Sequence, residues 1–171
     1  MAVDDTGPGP EGMTTDLQIT LARNADAFRI AYLSRARIEA GLPWTWRPER
    51  VASAIKSPEV NVIVANVGEC FAGFCITQFG TLTAHHCLLA VSPGFPRRGI
   101  GTSLIRWQEK VAITAGLMDL ELELRASNTE ALAFYHSLGY REFALARGYY
   151  SSMEDARRLR HQIRQRDGNS A

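Results

Sequence analysis

Apolar residues along this chain alternate with polar ones in some stretches and recur at helical spacing in others, and the two periods divide it into elements. LQITLA (17–22) reads as a strand. Asn24 to Ala40 carries apolar residues near helical spacing, and Gly41 stops the helix. LPWTW bends the chain, and Pro48 suits the first turn of a short helix reaching about Ile55. VNVIVAN (60–66) and CFAGFCITQF (70–79), joined through Gly68, read as a hairpin. Ala84 to Val91 is the next strand, ended by Ser92, Pro93 and Gly94. A helix from about Gly99 to Ala115 follows, and Gly116 closes it. LMDLELELR (117–125) alternates, with Leu120, Leu122 and Leu124 on one side and Glu121, Glu123 and Arg125 on the other. Asn128 can cap the helix TEALAFYHSL, which Gly139 ends. Residues 140–147 and about 153–163 are expected as the last two strands, although ARRLRHQIRQR could equally be a basic helix. The final strand is expected to be short and to cover the sheet edge that YREFALAR leaves open. Its arginines read most simply as a solvated face.

An antiparallel run followed by strand–helix–strand units implies an α+β domain with a mixed sheet, an α/β mixed layer of about seven strands and about four helices. At 171 residues there is room for one such domain and little more. The expected organisation is a flexible leader over 1–14, the domain over 15–164 and a tail over 165–171.

Composition narrows the function classes. Apolar residues make up 46% and charged residues 22%, as in ordinary soluble domains. A net charge of +1 argues against a nucleic-acid binder that relies on a whole-surface basic field. No apolar run is long enough to span a bilayer. The start, MAVDDTGPGPEG, is acidic and unlike a signal peptide, so a cytoplasmic protein is expected, as monomer or homodimer. Cys70, Cys75 and Cys87 form no CxxC pair, so neither a disulfide framework nor a metal site is expected. All three read as buried strand thiols, with a nucleophilic cysteine as the alternative.

The segment FPRRGIGTSL (95–104) follows a strand and opens a helix. The first N–H groups of a helix lack intrahelical partners, and the helix dipole adds partial positive charge there, so the place suits an anion. Gly99 and Gly101 let the backbone approach closely, and Arg97 and Arg98 can add charge-assisted contacts. Neither GxGxxG nor GxxxxGK[ST] is present, which disfavours a nucleotide-phosphate enzyme.

LLAVSPGFPRRGIGTSL followed by LELELRASNTEALAFYHSLGY resembles the GCN5-related N-acetyltransferase (GNAT) superfamily. The match runs through Leu89, Val91 and Pro93, then Gly99 and Gly101, then Asn128, Ala131, Phe134, Tyr135, Gly139 and Tyr140. Pro96 departs from the family's Gln or Arg and has no N–H to give. Glu123, Tyr149, Tyr150, Glu154, Asp155 and Ala156 make the chain similar to the branch that acetylates the N-terminal alanine of a ribosomal protein.

The resemblance implies acetyl-CoA as donor, no metal, and direct transfer to a primary amine, a protein N-terminus first among acceptors. A small amine (polyamine, amino acid or antibiotic) is the alternative, and an acyl-CoA-binding module without turnover is the reading from another class. It implies that Arg97, Arg98, Gly99, Ile100, Gly101 and Thr102 cradle the pyrophosphate. Leu89, Ala90 and Val91 would meet the pantetheine arm, with the Val91 N–H on the thioester carbonyl. Asn128 would face the same crevice. Tyr135 is the expected general acid, because a phenol stays protonated at neutral pH. Glu123 and His85 compete for the role of base, and adjacent His86 must face the opposite side. Trp44, Trp46, Tyr149 and Tyr150 are candidates for the acceptor groove, and Glu154 and Asp155 for attracting a cationic amine.

Overall fold

The structure is a computed structural model that describes residues 16–95 and 98–163. The expected leader, the tail, Pro96 and Arg97 therefore lie outside the described residues, as does Arg164.

Strand β1 (Leu17–Leu21) is followed by a 3-10 turn (Asn24–Asp26) and helices α1 (Ala27–Arg37) and α2 (Pro48–Lys56). Then come β2 (Val60–Val67), β3 (Cys70–Phe79), β4 (Thr83–Val91), α3 (Ile100–Thr114), β5 (Asp119–Arg125), α4 (Thr129–Ser137), β6 (Arg141–Tyr150) and β7 (Glu154–Gln162). The helix expected over 24–40 is thus shorter at both ends: Asp26 turns back onto the Arg23 N–H at 2.7 Å, and Gly41, at φ +76°, lies beyond the last helical turn.

The sheet runs β1-β2-β3-β4-β5-β7-β6 and is antiparallel except between β4 and β5. Here one expectation fails. The Arg-rich segment is a strand, but it covers no edge: β7 lies inside the sheet, between β5 and β6. Nor are its arginines merely solvated. The register sets Arg158 opposite Glu123 and Arg160 opposite Glu121, so like-charged strands are replaced by a ladder of opposite charges. Arg160 donates to Glu121 at 2.7 Å, and Arg157 donates to Glu142 at 2.9 Å.

Two apolar clusters cover the sheet's faces. Ile63, Leu104, Ile105, Leu120, Leu122 and Leu159 bury themselves on the α3–α4 side. Ile30, Val51, Val62, Val64 and Phe74 do so on the α1–α2 side. β4 contributes to both by alternation, and a bulge switches which of its positions face which side. Thr77 pairs with His86 and Ile76 with Leu88, which leaves Cys87 as the extra residue. Before the bulge, Ala84 faces the α3–α4 side; after it, Leu88 and Ala90 face α1–α2, while Leu89 and Val91 turn toward α3–α4.

The candidate active site at the split between two strands

β4 and β5 pair over only four residues, Thr83–His86 against Asp119–Leu122. Beyond that they part, β4 continuing from the Cys87 bulge and β5 from Glu123. The opening presents backbone as well as side chains. Ser92 N–H donates to Ala72 across the β3–β4 ladder at 2.8 Å, which makes 72 and 92 a hydrogen-bonded pair. Gly73–Val91 and Cys75–Leu89 are then the non-hydrogen-bonded pairs, and the N–H and C=O groups of Leu89 and Val91 point away from β3, into the split.

The split opens into a cavity of about 720 Å³. Leu89, Ala90 and Val91 line one wall. Arg98, Gly99, Ile100, Gly101 and Thr102 form its floor at the start of α3, and Asn128 and Tyr135 close it from α4. Every described residue expected at the donor site is therefore gathered around one space; Arg97 falls outside the described residues. The two glycines differ in their reasons. Gly99 is the N-cap of α3 at φ +71°, a left-handed conformation that disfavours side chains. Gly101 sits so close to α4 that a Cβ there would meet the Phe134 ring at 3.3 Å. The Asn128 side chain caps α4 by accepting from the Ala131 N–H at 3.0 Å. These features supply a helix N-terminus, open strand amides and an apolar channel, a set that fits a long ligand with a phosphate at one end.

Tyr135 is 8% exposed, and burial pushes its phenol well above the ordinary value, with the nearby Cys75 and Tyr150 acids adding to the shift. Among the described residues its hydroxyl has no hydrogen-bond partner, while none of their fully buried side-chain nitrogens or oxygens is left unpaired. Tyr135 lines the cavity, and its hydroxyl carries a proton at neutral pH.

Glu123 and His85, expected as rivals, are partners: His85 Nε2 and a Glu123 carboxylate oxygen are hydrogen-bonded. The Arg158 guanidinium donates to the other Glu123 oxygen at 3.1 Å. Burial pushes the Glu123 carboxyl up, but the His85 hydrogen bond and charge, with Arg158, outweigh it and hold the group below its usual range. The Cys87 sulfur, 3.6 Å from Nδ1, and Glu123 on Nε2 together push His85 up to about 10 against the cost of burial. At neutral pH the pair is an imidazolium beside a carboxylate.

His86 does point to the opposite face. It is buried, bonded to the Thr77 hydroxyl at 2.8 Å and to the Tyr140 hydroxyl at 2.9 Å. Burial, with the charges of His85 and His161, lowers it to about 3.

The acceptor-side candidates are rearranged. Trp44 and Trp46 are half-buried against the α1–α2 core, and the Trp44 indole donates to the Trp46 carbonyl at 3.1 Å. Buried Glu39 holds their loop by accepting from the Thr45 N–H at 2.8 Å and its hydroxyl at 2.7 Å. Tyr149 is 50% exposed, edge-on to Tyr150, and burial together with the Glu123 carboxylate raises its phenol. Glu154 and Asp155 are engaged inside the fold instead of waiting for a cation. Glu154 is bonded to the Ser127 hydroxyl and paired with Arg125 at 3.8 Å, and Asp155 accepts from the Gly148 N–H at 2.8 Å. Cysteine burial also divides: Cys75 is buried, Cys87 half-buried and Cys70 exposed, because Cys70 begins β3 right after the Gly68 turn. Arg158 and Glu39 escaped sequence reasoning, and Cys87, read there as a buried strand thiol, is instead half-buried beside His85. Alternation of Glu on β5 with Arg on β7 is the one signal that could have found Arg158. Among the described residues no helix is long and apolar enough to cross a membrane.

The sheet thus splits open above a helix N-terminus, with a buried phenol on one side and a carboxylate on the other. Residues 25–140 match the acetyltransferase (GNAT) family. The chain is 36% identical over 124 residues, 66% of it and 83% of the relative, to the [ribosomal protein bS18]-alanine N-acetyltransferase of Salmonella typhimurium. It is 31% identical over 145 residues, 81% of it and 89% of the relative, to N-alpha-acetyltransferase RimI of Mycobacterium tuberculosis. The crystal structure of the ribosomal-protein-S18-alanine N-acetyltransferase from Escherichia coli superposes with a TM-score of 0.76 at 26% identity, covering 91% of this chain and 99% of that one. Ard1 from Thermoplasma volcanium shares the fold at a TM-score of 0.77, over 87% of this chain and 99% of that one. The chain belongs to the acetyltransferase (GNAT) family. It is an acetyl-CoA-dependent N-acetyltransferase.

Proposed function

We propose that the acceptor is the α-amino group of a peptide or protein N-terminus. The observation that carries this is the state of the Glu123–His85 pair. A carboxylate held low by His85 and Arg158, beside an imidazole already protonated, offers only a weak base. An α-amino group, with a pKa of about 7.7–8.0, is partly neutral at pH 7 and needs little help; an ε-amine near about 10.4 is charged in all but ~0.04% of molecules. The site therefore suits α-amines and leaves lysine-like and polyamine nitrogens unreactive. The relatives named for bS18 and for N-alpha acetylation support the same acceptor.

In this reading Arg98 and the first amides of α3 hold the pyrophosphate, and Leu89 and Val91 hold the donor arm through their free backbone groups. Glu123 accepts the amine proton, directly or through water, and Tyr135 hands its proton to the departing thiolate. Both flank the split, one from β5 and one from α4, so acceptor and donor can be present together, as direct transfer requires.

The test is thiol release from acetyl-CoA with short peptides. Peptides with free N-termini should turn over, and N-terminally blocked peptides carrying one lysine should not. Tyr135→Phe should lower kcat by about 10²-fold or more, in the range of general acid catalysis, with acetyl-CoA affinity retained. Equal turnover of blocked and free peptides would overturn the α-amine reading. Unchanged kcat in Tyr135→Phe would remove the phenol from the mechanism.

A further inference from the structure

Cys87 plays no part in the acetyl transfer described above, yet it is the residue that the β4 bulge leaves without a partner on β3. Its sulfur lies 3.6 Å from His85 Nδ1 and 3.7 Å from the carbonyl oxygen of His85. The other ring nitrogen of His85 is tied to Glu123, which Arg158 fixes in turn. The result is a thiol, an imidazole and a carboxylate in series, the arrangement that activates a cysteine nucleophile: a ring within reach of the sulfur, oriented by a third group. The other two cysteines lack it. Cys75 is fully buried, its sulfur 3.7 Å from the Thr77 hydroxyl and 4.0 Å from a His86 ring that no carboxylate orients directly, and burial pushes its thiol up to about 12. Cys70 is exposed at a strand end and is paired with no histidine among the described residues. Cys87 is half-buried, next to the point where β4 and β5 part.

We propose that Cys87 is a thiol-modification site of the low-molecular-weight disulfide class, and that its modification switches the enzyme off. The step is thiol–disulfide exchange. The Cys87 sulfur, held as thiolate beside the His85 imidazolium after its proton has gone to solvent, forms a bond to one sulfur of the disulfide RSSR, the bond between the two reagent sulfurs breaks, and the departing thiolate takes a proton back from solvent. Cys87–SH and RSSR become Cys87–SSR and RSH, so Cys87 is oxidised and the leaving sulfur reduced. The added group occupies the space beside His85 and pulls the ring from Glu123. Reactivity rests on the Cys87–His85–Glu123 series alone; the loss of activity rests on the reading of Glu123 as the base.

The probe is glutathione disulfide on the full chain at pH 7.5, followed by peptide mass spectrometry at all three cysteines, with acetyl transfer measured on the same samples. Cys87 should be labelled at least about tenfold faster than exposed Cys70, and His85→Asn should slow its labelling by a similar factor. Glu123→Gln, which leaves the ring in place, should slow it by less. Activity should fall in step with Cys87 labelling and return with dithiothreitol, while Cys87→Ser, read against its own untreated rate, should resist the reagent. Cys70 labelling faster than Cys87, or a Cys87 rate indifferent to both variants, would overturn the site. Fast, His85-dependent labelling without loss of activity would keep the reactive thiol and overturn the switch, together with the placing of Glu123 as base.

Discussion

His85 and His86 are neighbours in sequence with opposite fates, and the alternation of side chains along a strand is the reason. His85 faces Glu123 and is raised to about 10; His86 faces Thr77 and Tyr140 and is lowered to about 3. The signs follow from linkage. His85 binds its proton more tightly folded than unfolded, so its contribution is complete below pH 6.5 and is lost as pH rises toward 10. His86 binds its proton less tightly folded, so its contribution is complete above pH 6.5 and is lost as pH falls toward 3. Each histidine erodes stability on its own side of about pH 6.5. In urea unfolding between pH 6 and 4, the wild type should lose up to ~1.4 kcal/mol per pH unit more than His86→Asn, the slope of one proton. Parallel curves would show that His86 titrates normally in the fold. Sequence alternation put the two rings on opposite faces but could not say that His85 and Glu123 would meet. That contact depends on a parallel pairing of β4 and β5 between residues 38 positions apart.

At the scale of elements the glycine-rich loop shows where sequence reasoning stopped. Both glycines read as a close backbone approach to phosphate. The structure shows a different reason at each: Gly99 takes a left-handed backbone at φ +71°, with open space around a would-be Cβ. Gly101 lies at the contact between α3 and α4, where Phe134 and the Val91 side chain lie 3.3 and 3.7 Å from its own would-be Cβ. Gly99→Ala meets no atom and suffers only the left-handed backbone, about 1–2 kcal/mol. Gly101→Ala keeps ordinary dihedrals and asks Phe134 to yield by a few tenths of an ångström, so it should cost less in urea unfolding. The reverse order would mean that the α3–α4 contact is the tighter constraint. Elements from β1 to β6 were legible, α1 less its ends, because each carries its own period and stop signals, whereas the last segment read equally as strand or basic helix. The placement of β7 was not legible. Its arginines looked like a surface, and only pairing with the glutamates of β5 and β6 turns them into the middle of a sheet.

For the whole molecule, the split between β4 and β5 leaves a sheet open in its own centre, and in the proposed reading the donor substrate completes it. Leu89 and Val91 direct their amides into the opening, while Ala90, between them, directs its amide to Phe74 on β3. In the free enzyme, amide exchange followed by NMR should alternate along β4: fast at Leu89, slow at Ala90, fast at Val91. Acetyl-CoA at a hundred times its Kd should raise global stability by ~2.7 kcal/mol through mass action. Ala90 should gain no more than that. Leu89 and Val91 should gain more, because they pass from solvent to a bonded partner as well. Uniform protection along β4 before ligand is added would mean that the opening is closed in solution. Uniform gain after it would mean that the ligand binds without using the strand's free edge, and would leave the α3 N-terminus as its main hold.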